Sequence, residues 1–173
     1  LGGIDSFNVL LTKWFGWDKR KNSGIGVFSR NLGFPILGSL VGIVGGWFLG
    51  AGIGYGLFNG AAGFSLTPQA LTAPALFNGG NGALFVTQLV PKLFIALAEA
   101  FCGHKEHGTM LVALVTGAMV AVFSPINGAS VGFVHSFAFD VVLTGGVTNG
   151  TWVHLGSELV SVVLAIVVYW VVF

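Results

Sequence analysis

Long apolar runs alternate with short polar punctuation along this chain. Four runs read as membrane-crossing helices: roughly Val27–Leu49, Ala83–Phe101, Thr109–Phe123 and Trp152–Phe173. A crossing helix needs about 17–25 largely apolar residues. The third run reaches that range only by borrowing Gly108 and Ser124. No period-two alternation with regularly spaced turns recurs, which argues against a β-barrel. Two further apolar pieces, Ile4–Trp17 and Val131–Leu143, are about half a membrane long. Each opens after a glycine-containing turn. They predict half-length helices that enter from opposite sides and end at mid-membrane. Non-helical backbone at that depth survives only when buried in protein or lining a cavity. Opposed half-helices whose N-termini meet there place two positive dipole ends together. That field repels cations and protons and suits a neutral solute. The pattern therefore predicts an all-α membrane protein: one domain over residues 1–173, with four crossing helices and two re-entrant half-helices.

The connectors give an orientation. Trp17–Asn22 is a basic linker, and Gly103–Gly108 is a tight polar turn holding Lys105. Two spans separate them, so Lys19–Lys21 and Lys105 are expected on one side, the cytoplasmic one or its equivalent. Gly50–Gly82, with Pro68 and Pro74, reads as a long loop folded over the opposite face, where Ser124–Thr151 is also expected.

Composition narrows the solvent. The chain is 54% hydrophobic and 8% charged, against about 25% charge in soluble domains, so its medium is a lipid bilayer. The formal charge of +1 offers nothing to nucleic acid. Long Val/Leu/Ile/Ala runs exclude a disordered Gly-rich segment. Gly38, Gly42, Gly45 and Gly46 predict a small-residue face for close helix packing. Trp14, Trp17, Trp47, Trp152 and Trp170 fall near expected span ends, as interfacial aromatics do. The single Cys102 excludes an internal disulfide. Leu1 is not an initiator Met and Phe173 lies inside an apolar run, so part of a longer protein is expected.

Two motifs carry the candidate chemistry. One is Phe7-Asn8-Val9-Leu10-Leu11-Thr12; the other is Gly128-Ala129-Ser130-Val131-Gly132-Phe133-Val134-His135-Ser136-Phe137. The first resembles the first pore loop of the aquaporin and aquaglyceroporin family, Asn-Pro-Ala-Val-Thr, with Asn8 and Thr12 matching. Val9 and Leu10 stand where Pro and Ala are usual. The second resembles the family's second loop, Gly-Ala-Ser-x-Asn-Pro-Ala-Arg-Ser. Gly128, Ala129, Ser130 and Ser136 match; Gly132, Phe133 and Val134 replace Asn-Pro-Ala, and His135 replaces Arg. Thr144–Gly156 and Ala165–Tyr169 are similar to the family's entry into its last helix and that helix's end.

The resemblance covers essentially the whole chain, without the family's first two helices, and implies the aquaporin-like fold. It implies a channel for water or a small neutral solute, lined by Asn8, Val9, Leu10, Ala129, Gly132, Phe133 and His135. Ala118 or Val120 stands for the constriction residue of the preceding helix. It implies no cofactor, and a homo-oligomer, a tetramer in the family. The second reading keeps the fold without a pore: a non-conducting structural subunit packed with other membrane subunits. In that case Phe133 or a neighbour plugs the path.

Blander roles stand beside these. Asn8 is a pore donor or a turn residue capping the following helix. His135 is a constriction donor with a pH-dependent charge, or a satisfied polar residue in a bundle. Gln88, Lys92 and Glu99 share one span, and the favoured reading is interhelical hydrogen bonding. The family has a buried loop-bracing glutamate near the position of Gln88. Asp140 is a weaker candidate partner for His135. Cys102, His104, Glu106 and His107 have metal-like spacing, but a solvated turn is the favoured reading and no metal is assigned. No nucleophile–base pair, carboxylate dyad or phosphate loop appears, so no enzyme is expected.

Overall fold

In the computed structural model the described residues are 30–58, 80–102, 107–127 and 132–172. They form five helices and, among the described residues, no strand: α1 Arg30–Phe58, α2 Asn81–Cys102, α3 Gly108–Asn127, α4 Phe133–Thr144 and α5 Asn149–Val172. The half-helix expected at Ile4–Trp17, with Asn8, Val9 and Leu10, lies outside the described residues, as do Ala129, Lys19–Lys21 and Lys105.

Spatial neighbours run α3–α2–α5–α4–α1, with α2 against α5 as the main seam. α2 and α5 run parallel, because Lys92 meets Ser157 and, further along both helices, Phe101 meets Tyr169. α4 runs antiparallel to the first half of α5: Phe133 meets Glu158 and Asp140 meets Thr151. The reversal is made at Gly145, the left-handed cap of α4 with φ 72°. Its N–H donates to Val141 O at 3.1 Å. A side chain at that φ would be strained, so glycine is required there.

Among the described residues three helices are long and apolar enough to cross a membrane: α1, α2 and α5. The third expected span is helical from Gly108 to Asn127, and its apolar part among the described residues is Gly108–Phe123. Burial is inverted relative to a water-soluble domain. Of the eight largest fully buried side chains seven are polar, the exception being Leu84. Large apolar residues cover the outside, among them Leu37, Val41, Val122, Val163 and Val171. Lipid makes an apolar exterior costless and leaves polar groups to seek one another. Apolar clusters are small: Ile95 with Val112, Val115 and Met119 between α2 and α3, and Ile43 with Val44, Val134 and Phe133 between α1 and α4.

Two expectations need correction. Gly50–Phe58, predicted as the start of a loop, is helical, because α1 continues through Phe58. Glycine breaks helices weakly in lipid, where an unbonded backbone has no water to turn to. Trp47 is consequently the eighteenth of 29 residues, well inside α1 and not at its end. At Gly38, Gly42, Gly45 and Gly46 no atom of the described residues lies within 4 Å of a Cβ built there.

Candidate functional site

The site grows from one stripe of α5. Thr151, His154, Ser157, Glu158 and Ser161 recur at three- and four-residue intervals, and all are fully buried. That spacing puts them on one helix face. Ser157 and Ser161 return their hydroxyls to the backbone, at His154 O (2.9 Å) and Glu158 O (2.7 Å). Against this stripe α2 presents Gln88, Lys92 and Glu99, again at helical spacing and all buried. Lys92 crosses the seam: its Nζ donates to His154 O and to Ser157 Oγ, each at 2.9 Å. The Glu158 carboxylate attracts the same ammonium. The expected interhelical hydrogen bonding is therefore present for Lys92.

α4 closes the site. It has 12 residues, about 18 Å of helix, and its N-terminus stops beside Glu158, the tenth of the 24 residues of α5. That is close to the midpoint of α5. Its N-cap is Gly132, extended at φ −152° and ψ 148°, with no side-chain cap bond of its own. The cap comes instead from 25 residues downstream: Glu158 Oε2 accepts the Phe133 N–H at 2.5 Å. A carboxylate on the positive end of a helix dipole is favourable. The positive end of α4 therefore faces an anion.

The other end of the hairpin is held reciprocally. Asp140, near the C-terminus of α4, accepts from the Thr148 N–H and, at 2.8 Å, from Thr151 Oγ1. Both donors belong to the start of α5. Each helix thus caps the N-terminus of the other with a buried carboxylate. Asp140 points at α5 and not at His135 as suggested above; five residues of helix turn a side chain by about 140°.

His135 faces α1. Its ring sits edge-on to Trp47, centroids 4.5 Å apart, and tilted against Phe139 at 4.8 Å. Phe48 meets Phe137 at 5.7 Å, and Phe133 stacks on Phe137 at 5.6 Å. The structure thus gathers Gly132, Phe133 and His135 on one short helix but gives them different neighbours. Gly132 meets the polar seam; Phe133 and His135 meet the aromatic α1–α4 contact. Ala118 is exposed and Val120 half-buried on α3, which packs on α2. Of the metal-like turn, His104 and Glu106 lie outside the described residues.

The sequence reading missed Glu158, His154, Ser157 and Thr151. The signal was available: a polar stripe with period 3.6 inside an otherwise apolar span. Scanning for length and average polarity passed over it.

No protein-family model, curated protein or solved structure matches this chain.

Proposed function

We propose that this protein is an aquaporin-like membrane channel for water or a small neutral solute, with α4 as a re-entrant half-helix. The carrying observation is the α4 N-terminus stopping at the middle of α5, beside a buried polar seam. A helix of 12 residues is too short to cross, and a backbone end at that depth needs protein partners. Glu158 supplies one and Lys92 balances Glu158. With cation, carboxylate and dipole end opposed, the seam favours neither ion sign and suits an uncharged, hydrogen-bonding molecule. A Cβ added at Gly132 would lie 4.0 Å from Glu158 Oε1, an ordinary contact. The Cβ of an asparagine, the residue usual in the family, is accommodated there.

The test is swelling of proteoliposomes holding the full chain, with water, glycerol and urea. The channel reading expects permeability above that of empty vesicles, raised by Gly132→Asn and altered by His135→Ala or Phe133→Pro. Permeability indifferent to all three places the path elsewhere. The structural-subunit reading draws on the stacked Phe133 and Phe137 and the aromatic contacts joining α4 to α1. It expects no permeability in any variant.

A further inference from the structure

Gln88 has a burial that the helix seam does not explain. Its side chain is 0% exposed, and neither its Nε2 nor its Oε1 has a hydrogen-bond partner among the described residues. It shares a face of α2 with Lys92, one turn earlier. Because α2 and α5 run parallel and Lys92 grips His154 and Ser157, Gln88 lies level with the preceding turn of α5, around Thr151–His154. Thr151 and His154 are themselves fully buried. An amide held there with donor and acceptor both bare carries the full cost of desolvating both groups. Lipid offers no relief, since glutamine is too short to reach an interface from mid-helix. A Met would fill the same volume without the cost. A buried amide with both functions unspent is arranged to meet a molecule that donates and accepts at once.

We propose that Gln88 walls a mid-membrane seat, between α2 and the Thr151–His154 turn of α5, for a small neutral molecule with both a donor and an acceptor: water, or a compact hydroxyl or amide compound. A charged occupant is disfavoured, because the Gln88 amide is neutral and Lys92 already has three oxygen partners or counter-charges in His154 O, Ser157 Oγ and Glu158. The seat goes beyond the channel reading and stands without it, since occupancy requires no flux.

The chain contains two glutamines, Gln69 and Gln88. Isotope-labelled glutamine in the full chain, reconstituted in liposomes, therefore gives two side-chain amide signals. Gln69→Ala assigns them without touching α2. Water-edited solid-state NMR then reads transfer from water to the Gln88 amide. Transfer several-fold faster than to the buried backbone amides of Ile95 and Ala96 on the same helix supports a seat holding water. A Gln88 shift on adding glycerol or acetamide, with Gln69→Ala retaining it, supports a larger occupant. Absence of both water transfer and a shift overturns the proposal, and Gln88→Met then raises the unfolding temperature by removing an unspent amide. Swelling assays run in parallel keep the two ideas apart: occupancy without permeability removes the channel and leaves the seat, while permeability without occupancy does the reverse.

Discussion

α1 and α5 are both long apolar helices, yet they solve different problems. α5 buries ten residues, and half of them, Thr151, His154, Ser157, Glu158 and Ser161, are polar or charged. α1 buries only Ile43 and Ala51 among its described side chains, and its glycines face open space. The difference teaches what binds helices where lipid removes the hydrophobic drive. Apolar surface gains nothing by leaving lipid, so α1 is joined to the rest by aromatic contacts to the short helix α4. Polar groups gain by leaving lipid, so α5 becomes the hub of α2 and α4.

The comparison breaks most visibly at Glu158. Glu158→Leu removes the cap of α4 and the counter-charge of Lys92 together, leaving a buried ammonium. The expected loss is about 3–5 kcal/mol, read by denaturant unfolding in detergent. Adding Lys92→Met should recover part of it; a fully additive double mutant would show that the two residues are uncoupled.

Asp140→Ala comes next. It removes the acceptor for the Thr148 N–H and Thr151 hydroxyl. A loss of about 1–2 kcal/mol is expected from a lost N-terminal cap, with faster hydrogen exchange confined to the start of α5. Exchange rising equally in α1 would mean that the two regions are not separable.

Smaller still is Trp47→Leu, which strips the edge-on contact with His135. About 0.5–1.5 kcal/mol should be lost. Loosening of α1 against α4, seen as increased cysteine cross-reactivity at that contact, should accompany it while the α2–α5 seam holds. The mildest change is Gly46→Ala. With nothing within 4 Å of the new Cβ, it should gain up to about 1 kcal/mol from helix propensity. A loss there would reveal that another helix covers this face, and α1 would then resemble α5 after all.

Much of this was legible in the chain. Segment length and polarity predict helices at the sites of α1, α2, α3 and α5, and α4 at half length. Those features are local, set by runs of apolar residues and by glycines such as Gly145. GxxxG-like spacing on α1 shows that a helix can be approached, and among the described residues no neighbour lies within 4 Å of that face. Asp140 was misdirected toward His135 because sequence proximity stood in for direction.

The sequence by itself determined the apolar segments long enough to cross a membrane, the helical class and the periodic stripe that makes α5 two-faced. Which polar group meets which was decided by the tertiary structure alone. Glu158 caps a helix that begins 25 residues before it, Asp140 returns the favour to α5, and Lys92 spans to a residue 65 positions away. No local rule selects such partners. Hydrogen bonds and charge attraction act through space, and in a low-dielectric interior these buried donors and carboxylates meet the complementary groups that helix packing delivers.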